Sequence, residues 1–327
     1  MWFRKVAIGT VITVYLLILA GGIVRSTGSG MGCPDWPKCF GSWVPPTNVS
    51  QLPADYQAIY GSKLKGEVVF NVYKTWTEYI NRLLGVLTGF LILGTLLSSI
   101  TFLKTNKPIF WWSFVAFLLV GFQGWLGSKV VSTELSPIMV TLHMLLAIVI
   151  VFILIYVLAR SYVGIIKVES ITNPHKLNSW LLVSMGLMLI QVLIGTQVRE
   201  SIDVVIQQVG ESGRNTWIEQ LGLSFYIHRS FSTVVLASQL YVFVLLRKNS
   251  NKEGIVYRFT SLLVMLIGVE ILSGVFMAYL GIPPFIQPVH LTLAILMLGL
   301  QFVVGLLLNA ERVFSQSISE PARKILS

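Results

Sequence analysis

Eight apolar runs, near residues 6–24, 77–98, 110–127, 138–158, 180–198, 223–246, 259–280 and 287–309, decide what this chain can become. Each approaches the roughly 20 residues that an α-helix needs to cross the hydrocarbon of a bilayer. Backbone N–H and C=O groups find no water there, so only helices and closed barrels are viable, and runs of this length without period-2 alternation read as helices. The chain as a whole agrees: 54% of its residues are hydrophobic and 12% charged, and the mean hydropathy is +0.76. These values exclude an ordinary soluble domain. The expectation is an all-α integral membrane protein of eight spans in the cell membrane. The first run follows Met1-Trp2-Phe3-Arg4-Lys5, as in a signal peptide, but no convincing small-residue cleavage site closes it and the internal repeat described below needs it, so it is expected to be a span.

Lys and Arg between the runs give an orientation. With the N-terminus inside, the inner segments hold Arg4, Lys5, Lys104, Lys107, Arg160, Lys167, Lys176, Arg247, Lys248, Lys252, Arg258, Arg312, Arg323 and Lys324. The outer ones hold Arg25, Lys38, Lys63, Lys65, Lys74, Lys129, Arg199 and Arg214 over a greater length. Both termini are therefore expected in the cytoplasm. The formal charge of +10 reads as topology and contact with anionic lipid, and no basic, aromatic surface pattern points to nucleic acid. Trp36, Trp43, Trp76, Trp111, Trp112, Trp180 and Trp217 fall near span ends or in outer connections, and an interfacial belt explains most of them.

The chain repeats itself. Tyr79-Ile80-Asn81-Arg82 matches Tyr226-Ile227-His228-Arg229, and each is followed 62 residues later by a histidine, His143 or His290. Gln123 lies 20 residues before His143, as Glu270 does before His290, and Gly21-Gly22-Ile23-Val24-Arg25 resembles Gly195-Thr196-Gln197-Val198-Arg199. Two pseudosymmetric four-helix bundles are expected: an N-terminal half over 1–160 with a long outer loop at 25–75, a C-terminal half over 176–313, and a cytoplasmic tail at 314–327.

Ionisable residues inside a membrane are costly and mark function. His143, His228 and His290 lie near the outer ends of the fourth, sixth and eighth spans, and Asn81 holds the matching place in the second. Imidazoles on facing helices of a four-helix bundle are a common way to hold haem iron. His228 and His290 suit a two-histidine haem site, against the plainer reading of interhelical hydrogen bonds; the N-terminal half keeps one such ligand, His143. Arg25, Arg82, Arg199 and Arg229 stand in matched pairs on the outer side, where guanidinium groups would receive haem propionates or, in the plainer reading, lipid phosphates. Glu78 precedes Asn81 by one helical turn, and its counterpart is Phe225. It is a candidate catalytic carboxylate, able to stabilise positive charge beside a cofactor, or else a helix-end glutamate reaching interfacial water. Gln123 and Glu270 are candidates for a proton relay, for partners of the ligands, or for simple interhelical bonding. His175 reads as a solvated loop residue.

The two cysteines, Cys33 and Cys39, lie in the outer loop within Cys33-Pro34-Asp35-Trp36-Pro37-Lys38-Cys39, on the oxidising side. A disulfide there closes a short loop, and its exposure would leave it reducible. A redox or gating role and a plain staple of the loop are both open; zinc is disfavoured with two thiols and no neighbouring histidine. The glycine-rich stretch before them lacks the strand and helix of a nucleotide loop.

These residues together resemble the haem A synthase family over nearly the whole chain: Gly22-Ile23-Val24-Arg25, the Cys33–Cys39 segment, Glu78-Tyr79-Ile80-Asn81-Arg82, Leu142-His143, Ile227-His228-Arg229 and Val289-His290. The resemblance implies haem b held by His228 and His290, haem O bound as substrate in the N-terminal half with His143 on its iron, and oxidation of a haem methyl to formyl by successive hydroxylations with loss of water. It also implies Glu78 beside the substrate macrocycle, an outer-face cysteine pair linked to haem handling, and haem O synthase upstream. The family usually has histidine where this chain has Asn81, a poor iron ligand, so iron in the first site would keep an open position. The third outer connection, Glu200 to Gly222, has no cysteine to cross-link it. A haem-binding electron carrier or haem-transfer protein without oxidation chemistry is the alternative, and a secondary transporter a third reading. The electron donor or acceptor is open, and a homo-oligomer is possible.

Overall fold

A computed structural model describes residues 2–61, 69–166, 174–250, 254–310 and 313. The proposed tail at 314–327 and the charges on Lys63, Lys65, Lys167, Lys252, Arg312, Arg323 and Lys324 lie outside the described residues. Among the described residues ten α-helices follow one another: α1 Trp2–Ser26, α2 Tyr56–Tyr60, α3 Val72–Ser99, α4 Lys107–Ser132, α5 Pro137–Arg160, α6 Pro174–Val209, α7 Trp217–Gln220, α8 Leu223–Asn249, α9 Ile255–Tyr279 and α10 Ile286–Leu308. Eight of them, all but α2 and α7, are long and apolar enough to cross a membrane. No strand occurs among the described residues; one isolated bridge joins Cys39 and Ser42. The chain is a multi-pass membrane protein.

Local chemistry sets the helix ends. Asn71 caps α3 by accepting the Lys74 N–H, and prolines open α4 and α5, where the missing N–H would have had no partner. Large apolar side chains such as Phe90, Leu97 and Ile138 stand exposed around the helices, as lipid-facing positions do.

The helices close into rings. In the first half α1 packs on α3, α3 on α4, α4 on α5 and α5 back on α1; in the second α6, α8, α9 and α10 pack in the same order. The most enclosed span, α10, also packs on α1 and α5. Small residues let backbones approach: a Cβ at Gly22 would stand 2.7 Å from the Pro288 Cβ, and one at Gly299 would meet the Tyr15 hydroxyl. Phe152 of α5 stacks on Phe302 of α10 at 4.7 Å between ring centroids, across the seam.

Three expectations are corrected. The fifth span does not end near residue 198: α6 runs to Val209. At about 1.5 Å per residue its 36 residues span about 54 Å, well beyond a hydrocarbon core of about 30 Å. Its extension carries an apolar stripe, Ile202, Val205 and Val209, packed on Trp217, Leu221 and Ile282, so much of the presumed loop from Glu200 to Gly222 is helical and folded down. Trp217 is therefore buried there and is no interfacial anchor; Arg214 covers its ring at 4.4 Å, and its indole N–H donates to Gly210 O. The cysteine pair is not exposed either: Cys33 and Cys39 are enclosed by Phe40, Tyr56 and Phe70.

Candidate functional site

The polar residues read as functional gather toward one end of the helices, the end that carries the cysteine loop; His175, expected in a loop, instead stands exposed in the first turn of α6 at the other end. At the cysteine-loop end α1, α4, α6 and α9 finish, and α3, α5, α8 and α10 begin.

In the second half His228 of α8 and His290 of α10 face one another from helices on opposite sides of the ring, with ring centroids 6.4 Å apart. An imidazole centroid lies about 1.1 Å from its own nitrogen and a metal–imidazole bond is about 2.0 Å, so iron bracketed by two imidazoles requires roughly 6.2 Å. The observed separation fits that arrangement. Both rings are largely buried, and His228 Nδ1 has no hydrogen-bond partner among the described residues. Gln191 Nε2 donates to His228 O at 3.0 Å, which fixes that turn of α8. Ser273 Oγ lies 2.7 Å and Glu270 Oε1 3.3 Å from His290 Nδ1.

The first half repeats the positions with different chemistry. His143 O accepts from Gln123 Nε2 at 2.8 Å, while His143 Nδ1 and Asn81 Oδ1 are buried without partners. Glycines back all four residues. A Cβ at Gly127 would stand 3.4 Å from His143 Cε1, at Gly195 3.3 Å from His228 Cε1, at Gly274 3.5 Å from His290 Cε1, and at Gly21 3.9 Å from Asn81 Oδ1. A methyl group would be tight against the ring only at Gly195; at the other three it would make ordinary contact.

Glu78 is buried, so the reading of a helix-end glutamate in interfacial water is overturned. Its Oε2 accepts the Cys33 N–H at 2.7 Å, and its Oε1 is paired with Arg82. The Arg82 guanidinium also donates to Asp35 O at 2.7 Å, Lys38 O at 3.0 Å and Cys33 O at 3.0 Å. Helix α3 thereby grips the turn closed by the Cys33–Cys39 disulfide. That bond rules out zinc on the two thiols. Asp35 completes the turn by accepting the N–H groups of Phe40 and Gly41, both in left-handed backbone. Thr75 Oγ1 donates to Gly32 O, and a Cβ at Gly32 would fall 2.4 Å from Lys74 O, so only glycine allows this approach. Burial, and after it the Asp35 carboxylate, push the Tyr60 phenol up beside this turn.

The other arginines sit differently. Arg25 and Arg199 both pair with Asp203, and Arg199 reaches Gln287 Oε1 and Arg25 O, so this cluster ties α1, α6 and α10 together. Arg229 is exposed, its guanidinium 5.7 Å from the Tyr226 ring centroid. Asp203 and Gln191 were missed in the sequence. The Arg199–Asp203 spacing of one turn was the available signal for the first, and nothing marked the second.

The cytochrome oxidase assembly protein family, COX15-CtaA, matches residues 4–302 of the chain. The heme A synthase of Shewanella oneidensis is 31% identical over 196 residues, covering 59% of this chain and 55% of that protein. That of Bartonella quintana is 28% identical over 196 residues, covering 56% and 53%, and that of Ehrlichia canis 28% over 201 residues, covering 57% and 56%. The chain spans about half the length of the curated relatives it matches. With a match that runs from residue 4 to residue 302, the chain belongs to the cytochrome oxidase assembly protein family.

Proposed function

We propose that the chain is a haem A synthase, which oxidises a methyl group of haem O to formyl by successive hydroxylations with loss of water. The observation that carries this reading is the His228–His290 separation of 6.4 Å, which suits a resident haem b held by two imidazoles. When bound, that haem supplies one-electron transfer.

The chain's own residues divide the remaining work. His143 would ligate haem O, and Asn81, a weak donor, would leave the opposite face of its iron open. Glu78 stands one turn from Asn81, held in place by Arg82 and the Cys33 N–H, where its charge stabilises positive charge developing at the substrate methyl. The cysteine turn roofs this carboxylate and limits water. Arg25 and Arg199, now balanced by Asp203, are the candidates nearest the seam for propionates, with Arg82 and Arg229 as the other pair. The Lys and Arg distribution supports an orientation with this end of the molecule on the outer face. Haem O synthase is the upstream partner, since it makes the substrate.

The test is co-expression with haem O synthase followed by pigment chromatography. Formyl-haem should accumulate, and Glu78→Ala should abolish it. A purified chain with one low-spin haem and no capacity to modify added haem O would instead establish the carrier reading that Asn81 suggests.

A further inference from the structure

His228 and His290 stand in unequal surroundings. Two oxygens from α9 flank Nδ1 of His290, Ser273 Oγ at 2.7 Å and Glu270 Oε1 at 3.3 Å. The Ser273 hydroxyl donates its own proton to Glu270 O at 2.7 Å, so its oxygen meets the imidazole as an acceptor. A protonated Nδ1 satisfies both neighbours and leaves the lone pair on Nε2. Glu270 Oε2 is buried with no partner among the described residues, so the carboxyl group has one bonding role here, toward His290.

Neither of the other buried imidazoles is held this way. No side chain bonds Nδ1 of His228 or of His143 among the described residues; the side chains of Gln191 and Gln123 bond to backbone carbonyls, and the His228 ring has only the Gln191 backbone beside it. The repeat makes the contrast sharper. Gln123 stands where the second half has Glu270, and Leu126 where it has Ser273, while the glycine one residue on is kept as Gly127 and Gly274. Both residues that grip His290 are thus absent from the half proposed to take substrate.

We propose that Glu270 and Ser273 are positioning residues that fix His290 as an Nε2 donor to haem iron, and that this clamp separates a retained haem in the C-terminal half from an exchanging one in the N-terminal half. The inference rests on the two-imidazole reading above. A hydrogen bond from Nδ1–H makes the imidazole a stronger donor, which favours ferric over ferrous iron and slows haem loss. A substrate haem must leave after reaction, and His143 without a clamp suits that.

The experiment uses the purified full chain and reads the midpoint potential of its low-spin haem, its EPR spectrum and the rate of haem transfer to excess apomyoglobin. Ser273→Ala should lower the ferric-to-ferrous ratio at fixed potential about tenfold, a rise of about 59 mV for one electron, and should speed transfer. Glu270→Gln should move both in the same direction, and Ser273→Thr should restore the parent values. Unchanged potential, spectrum and transfer rate in Ser273→Ala and Glu270→Gln would overturn the clamp. A low-spin haem that survives His290→Ala would instead overturn the two-imidazole reading itself.

Discussion

Replacing Arg82 by methionine tests how α3 holds the cysteine turn. The guanidinium donates to three backbone carbonyls, those of Cys33, Asp35 and Lys38, and pairs with Glu78. Methionine keeps part of the stem and removes every donor. Glu78 is then left buried, held only by backbone N–H groups of the turn, those of Cys33 and Gly32. Breaking a buried ion pair from one side costs about 3–5 kcal/mol. Arg82 keeps 14% of its side-chain surface exposed and Glu78 5%, so the lower end, about 3 kcal/mol, applies. Since about 1.4 kcal/mol is a factor of ten, local opening of the turn becomes roughly a hundredfold more frequent. Hydrogen exchange in peptides covering residues 30–42 reads this directly, because local opening exposes those amides without unfolding the helices. Adding Glu78→Gln removes the stranded charge, so the double variant should regain at least about tenfold of the lost protection. A change below about threefold in Arg82→Met, or a double variant no better protected than the single, would refute the reasoning.

Three further outcomes follow from the same packing. The enclosed Cys33–Cys39 bond should resist a water-soluble phosphine in the folded protein and yield to it in Arg82→Met, measured by thiol labelling with mass detection. Gly32→Ala should cost about 1–3 kcal/mol, because its Cβ would press on the Lys74 carbonyl, and limited proteolysis should then cut between residues 30 and 42. Asp203→Ala should lower the thermal midpoint in detergent by removing about 1–3 kcal/mol of bonding that joins α1 to α6, whereas an unchanged midpoint would deny the cluster a role in the seam.

Much of this was legible in the sequence, for physical reasons. Spans must be long and apolar, so hydropathy found all eight. The second half kept both histidines at matched positions, and the fold brings their rings to 6.4 Å across the bundle. What escaped was bonding between segments far apart in the chain. The polar run Arg199-Glu200-Ser201-Ile202-Asp203 broke the hydropathy of α6, although its helix continues because Ile202 and Val205 find Trp217 and Ile282. Aromatic residues scattered from Phe40 to Phe70 gave no sign that they enclose the disulfide. Glu78 read as a carboxylate near Asn81, but its grip on the Cys33 amide depends on a turn 45 residues away.

The central claim is that the two halves have divided their work, one holding a haem through His228 and His290 and the other receiving haem through His143. An EPR spin count on the chain purified without haem O measures this most directly. The account predicts one low-spin ferric haem per chain, lost in His228→Ala and in His290→Ala and kept in His143→Ala. A signal that disappears with His143, or survives the loss of His228 or His290, would contradict it.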